Sequence, residues 1–233
     1  MRLLSYSGYC FPSDIIQRAV WMYLRFTLSF RDVEELLAER GITVMYESIR
    51  RWVLTFGPLI ARGLRARRPK PHARWHLDEV FVRIGGKQMY LWRAVDAEGE
   101  VLDVLVQAKR DRCAAQKLMR KLLKKQGMTP ETWVTDKCPS YGAALREQQL
   151  NRAAHVQRKR ANNRAESSHL PVRRRERKQQ GFKSPGSAQL FLSIHAATYN
   201  TFTVPRHLVS ARAHRLFRVE AFEAWRRAAG VAA

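Results

Sequence analysis

The sequence predicts an α/β fold in two parts: an all-α N-terminal domain, then a mixed sheet with flanking helices. Three observations lead there. Apolar residues recur at helical spacing through residues 13–57. After a basic, proline-containing segment at 62–74 the pattern turns to period-two alternation. Beyond residue 108 helical and strand-like stretches alternate, as in a sheet with helical crossovers.

The first helix is "SDIIQRAVWMYLRF", with Ser13 or Asp14 as its cap. In "SFRDVEELLAERG", Ser29 caps, Val33, Leu36 and Leu37 share a face, and Gly41 stops the helix. A short "ITVMY" turn leads to "ESIRRWVLTFG", where Ile49, Trp52 and Val53 form the inner face and Arg50 and Arg51 point elsewhere. Helix, glycine-containing turn and helix with outward arginines fit a helix-turn-helix, whose second helix enters the major groove. They also fit a plain helical hairpin. Strands follow at roughly 75–84, 88–96 and 101–108, joined by turns at Gly85-Gly86 and "AEGE". Next come a helix capped by Asp111, a short strand "TWVTD", a helix in "PSYGAALREQQL", and a basic stretch whose helix begins near Asn162 or Asn163. The helical segments "GSAQLFLSIHAATYNTF" and "VEAFEAWRRAAG" complete the chain. Three antiparallel strands, a crossover helix and a further strand follow the element order of a ribonuclease-H-like domain. The expected division is a helix-turn-helix domain at 1–65, a basic linker at 66–73, a catalytic domain at 74–205 and a helical tail at 206–233.

The formal net charge is +23 over 233 residues, which points to a polyanionic partner, because neutralising phosphates releases condensed counterions. Ribosomal proteins and histones share that composition, so charge alone selects no function. Cys10, Cys113 and Cys138 are far apart and form no zinc-type spacing. They read as reduced thiols. No clean signal-peptide core and no membrane-length apolar run is present, so a cytoplasmic, nucleoid-associated protein with no membrane partner is expected.

Three carboxylates stand where the pattern does not ask for them. Asp78 occupies the middle of the first strand, beside Glu79, although acidic residues suit strands poorly. Glu79 alternates to the opposite face. Asp136 ends the next strand, where α/β sheets place functional residues and where turn-capping aspartates also occur. Glu166 lies early in a helix inside the run 158–183, rich in arginine and lysine and with Glu176 as its one other acid, where it would also complement the helix dipole. Together the three can converge on two divalent cations, which take hard oxygen ligands. The surrounding cations, Arg164, Arg173, Arg174, Arg175 and Lys178, are then expected to hold DNA phosphates, with Arg50 and Arg51 as contacts in the recognition helix. His76 is expected to be packed or to support a ligand, and Trp75, Trp92, Trp133 and Tyr90 to be core.

The segments "WHLDEVFVRIGGKQMYLWRAVDAEGEVLDVLV", "VTDKCPSYG" and "NNRAESSHLPVRRRERKQQGFKS" resemble the DDE transposases of bacterial insertion sequences, the insertion-sequence-six family above all. The resemblance covers about residues 10–225. It implies that Asp78, Asp136 and Glu166 are the catalytic, metal-binding triad, served by two Mg²⁺ or Mn²⁺. It places Arg173 at the basic position seven residues after the glutamate, where many members have lysine. Pro171 intervenes, and a kink or a short first helix is expected there. Residues 137–165, between the second and third acid, form a slightly shorter span than is usual for the family. The implied activity is binding of terminal inverted repeats, cleavage at the element's 3′ ends, and attack of the freed 3′-hydroxyl on target DNA to give a cointegrate. The implied partners are double-stranded DNA, as repeats and target, and a second copy of the chain at minimum. The alternative is a non-catalytic helix-turn-helix protein or a defective copy.

Overall fold

The computed structural model describes residues 4–150, 153–157, 159–204 and 209–230. The chain divides into two compact units, Met1–Arg68 with Ile194–Ala233, and Pro69–Ser193. The boundary expected at 205/206 lies outside the described residues. The helix that follows it groups with the N-terminal helices rather than standing as a tail.

In the first unit, α1 spans Ser13–Arg25, α2 Phe30–Ala38 and α3 Tyr46–Ala66. The C-terminal α8 spans Ala211–Ala229 and packs on α3. The cap expected at Ser13 or Asp14 is not formed. Pro12 holds the N-cap position without a side-chain bond, and Ser13 is already helical. Ser29 does cap α2: its hydroxyl accepts from Asp32 N and the Asp32 carboxylate accepts from Ser29 N, a reciprocal capping box. Ser29→Ala is expected to cost about 1 kcal/mol, seen as a melting temperature lower by about 2–4 °C.

The helix α3 runs well past the expected stop, through Gly57 and Pro58 to Ala66. Gly57 lies inside it, where a Cβ would meet Ile194 at 3.3 Å. Pro58 removes one helical bond, and the carbonyl it frees belongs to Leu54, which is exposed. Trp21, Phe202, Phe222 and Trp225 form an aromatic cluster beneath α8, with Trp21 and Phe222 centroids 5.0 Å apart. No described helix is long and apolar enough to cross a membrane.

The second unit is a five-stranded mixed sheet. Its strands are β1 (Arg74–Ile84), β2 (Lys87–Asp96), β3 (Val101–Gln107), β4 (Thr132–Thr135) and β5 (Ala154–Gln157), in the spatial order β3-β2-β1-β4-β5. The first three form an antiparallel meander, and β4 and β5 join parallel. Parallel neighbours need crossovers. These are α4 (Arg112–Gln126) and α5 (Pro139–Glu147). Both pack on one sheet face around Trp75, Leu77, Trp92 and Trp133, all at most marginally exposed. The helix α6 (Asn163–Lys178) covers the other face, and α7 (Pro185–Phe202) follows it. This is the ribonuclease-H-like arrangement expected from the element order. Strand β5, four residues of mixed character, was not expected.

Asp111 caps α4 as predicted, accepting from Ala114 N at 2.9 Å, and Gly127 ends it in the left-handed conformation. Helix α6 does not break at Pro171. It continues through it, and the carbonyl that loses its donor belongs to Ser167, on the exposed side.

Candidate active site

The parallel ladder between β1 and β4 ends at the pair Leu77 and Thr135. One residue further along each strand stands a carboxylate, Asp78 and Asp136. From Asp78 to Arg83 the only strand β1 pairs with is β2, and its other edge is next met by an isolated bridge from Ile84 to Phe182. The crevice at the carboxyl end of a strand pair is where α/β sheets put reactive groups. Asn162 closes its floor, donating from Nδ2 to Leu77 O at 2.8 Å. That bond fixes the start of α6, and Glu166 lies in the first turn. Asp78, Asp136 and Glu166 thus line one cleft of about 630 Å³, together with Asn162, Arg110 and Lys137.

Each acid is held differently. Asp78 Oδ2 lies 3.2 Å from His169 Nε2, on the buried face of α6. Burial lowers the His169 pKa, opposed by Asp78. Asp136 Oδ1 accepts from Cys138 N at 2.9 Å, so the turn role and the cleft role coexist in one side chain. Glu166 is exposed. The donor types suit a hard divalent cation: three carboxylates line the cleft, and Asn162, 3 % exposed, keeps an Oδ1 with no hydrogen bond among the described residues. The three carboxylates do not all lie within 4.8 Å of one another, a spacing reached among the described residues by Glu79, Asp136 and Cys138 instead.

A fourth acid, passed over in the sequence, comes close. Strand alternation does turn Glu79 to the α4–α5 face, yet its carboxylate, that of Asp136 and the Cys138 thiol lie within 4.8 Å of one another. Both oxygens of Glu79 are already engaged. Its Oε2 accepts from the Tyr141 hydroxyl at 2.5 Å and its Oε1 from Arg110 Nε at 2.6 Å. Burial pushes its pKa up while those two donors pull it down, and burial next to Glu79 pushes the Tyr141 phenol well up. The signal for this cluster was the unexplained second acid in a strand.

The predicted DNA contacts separate. Arg50 and Arg51 are exposed on α3, and Arg164, Arg174 and Lys178 are exposed on α6. Arg173 is half-buried, donating to Phe81 O of β1 at 2.6 Å and to Glu176 at 2.8 Å. Arg175 corrects the expectation: it is 2 % exposed and stacks over the Phe191 ring, facing the core rather than a phosphate. His76 is buried, as expected of a packed residue.

A family model describing a DDE domain, of the IS240 transposase type, matches residues 72–203. The transposase for the insertion sequence-like element IS431mec of Staphylococcus aureus strain Mu50 is 34% identical over 178 residues, covering 75% of this chain and 79% of that one. The transposase for IS257 in transposon Tn4003 of Staphylococcus aureus is 33% identical over the same shares. Among solved structures, the HTLV-2 integrase catalytic core in complex with magnesium is 14% identical with a TM-score of 0.43, covering 60% of this chain and 90% of that one. The site and fold define a metal-dependent enzyme of DNA phosphoryl transfer. The chain belongs to the DDE transposases of the insertion-sequence-six family.

Proposed function

We infer that the chain binds the terminal inverted repeats of its own insertion sequence, cleaves at the 3′ ends and joins the freed 3′-hydroxyls to target DNA, leaving a cointegrate. The observation that carries this is the convergence of Asp78, Asp136 and Glu166, from three separate elements, on one cleft. These carboxylates would hold two Mg²⁺ or Mn²⁺, which when bound activate the attacking oxygen and stabilise the leaving one.

The chain's own residues supply position and charge. Arg164, Arg174 and Lys178 give exposed cations along the helix that carries Glu166, suited to the phosphates flanking the scissile bond. His169, with Nε2 at 3.2 Å from Asp78 Oδ2, is placed to support that carboxylate. Arg50 and Arg51 on α3 are the candidate repeat-reading residues of a helix-turn-helix within residues 1–65. Residues 74–205 form the catalytic domain in this reading. Joining two element ends calls for at least a homodimer on DNA, in the bacterial cytoplasm.

The test is a strand-transfer assay with DNA bearing both terminal repeats, a supercoiled target and Mg²⁺. Joined product that requires the metal supports the reading. Cleavage without joining would make the chain a nuclease, and specific end binding with no chemistry would make it a regulator or a defective copy.

A further inference from the structure

Arg110 lies outside the triad and outside the basic run of α6, in the connection between β3 and α4. Its guanidinium lines the cleft, and its side chain is 47% exposed. An exposed arginine normally samples many rotamers, but this one is tied down. Nε and Nη2 both reach Glu79 Oε1 at 2.6 Å, and Nη2 is 3.6 Å from Asp136 Oδ2. Glu79 in turn is fixed, with a side chain only 1% exposed and its second oxygen held by Tyr141, which is fully buried. A carboxylate in a strand with both oxygens held by Arg110 and Tyr141 acts as an anchor. What it anchors is a cation in the wall of a cleft built for phosphoryl transfer. Nη1 makes no hydrogen bond among the described residues.

We propose that Arg110 is a substrate contact: it clamps a non-bridging phosphate oxygen of the DNA strand lying in the cleft, and Glu79 and Tyr141 are positioning residues that act through it. This rests on the phosphoryl-transfer reading of the same site. A guanidinium held in advance loses little freedom on meeting the phosphate, which is the condition for an orienting contact. Glu79 also keeps the charge of Arg110 beside Asp136 without surrendering Asp136 to it, since the shorter contacts go to Glu79.

The experiment uses the full chain with Arg110→Gln, Arg110→Lys, Glu79→Gln and the double variant Arg110→Gln with Glu79→Gln. Binding is measured by fluorescence anisotropy, against salt in Mg²⁺, with an end duplex terminated in a 3′-deoxynucleotide that cannot be joined. Loss of one phosphate contact should lower the slope of log affinity against log salt by about 0.9 in Arg110→Gln. Strand transfer at saturating DNA should fall about 30-fold, the worth of one charge-assisted hydrogen bond, with partial recovery in Arg110→Lys. Glu79→Gln should lose less, and the double variant no more than Arg110→Gln alone, because Glu79 acts only through Arg110. Arg110 is exposed, so its own variants carry the test if Glu79→Gln folds poorly.

An unchanged slope and rate in Arg110→Gln, with wild type active, would overturn this inference and leave the proposed function standing. So would an unchanged slope accompanied by tighter Mn²⁺ binding, which would make Arg110 a counter-ion that competes with metal. Inactive wild type that still binds ends leaves the slope comparison decisive. Wild type that neither binds ends nor joins them overturns both readings.

Discussion

Glu166→Gln is expected to lower metal-dependent strand transfer by about 1000-fold, the equivalent of about 4 kcal/mol, while the protein still folds and still binds element ends. The amide keeps the size of the side chain and removes only its charge and one anionic ligand atom. Two roles are open to a carboxylate at this position, and their magnitudes separate them. In the first turn of α6, Glu166 also complements the helix dipole, an effect worth only about 0.3–1 kcal/mol in stability. If the dipole were its whole role, the variant would melt slightly earlier and transfer strands at nearly the normal rate. If it holds metal, melting barely changes, Mn²⁺ affinity falls and chemistry almost stops. Single-turnover transfer on pre-bound DNA, read beside a melting curve and a Mn²⁺ titration, measures all three. Unreduced transfer in a folded variant would remove Glu166 from the active site.

The parts of the fold that local rules govern were legible. Strands expected at 75–84, 88–96 and 101–108 lie at Arg74–Ile84, Lys87–Asp96 and Val101–Gln107, because alternation and glycine turns are local signals. The convergence of Asp78 and Asp136 was legible too. A strand-centre acid and a strand-end acid become neighbours once β4 pairs parallel to β1. Other features depend on distant partners. Strand β5 is defined by its pairing with β4, since "AHVQ" has no strand character of its own. Helix α3 runs through Gly57-Pro58, and a Cβ at Gly57 would meet Ile194, far along the chain, at 3.3 Å. Glu79 was placed on the correct face, but alternation does not tell which residues wait there. Arg110 and Tyr141 arrive from 31 and 62 positions away. Charge hid the last case. Residues Ala165, Ser168, His169, Val172 and Arg175 of α6 are buried, a stripe at helical spacing. That spacing was present in the sequence, yet an arginine inside an arginine-rich run read as surface.

This stripe makes neighbouring arginines behave oppositely. Successive helical residues are turned by about 100°, so Arg174 and Arg175 cannot share a face. Arg175→Ala is expected to destabilise the fold by about 3 kcal/mol, because it deletes a packed stem over Phe191 and whatever partners the guanidinium satisfies inside. In a chain of this size that lowers the melting temperature by about 6–12 °C. Its effect on DNA affinity, measured where the variant is fully folded, should be small, with the salt slope unchanged. Arg174→Ala should do the reverse. The residue is exposed, so the melting temperature should barely move, while the slope of log affinity against log salt drops by about 0.9 for the lost phosphate contact. A basic run acting only as a diffuse positive surface would give both substitutions the same modest loss of affinity and no loss of stability. The opposite pattern would mean that α6 is a two-sided element. In that case one face would lock Glu166 against the sheet, and the other would meet the nucleic acid.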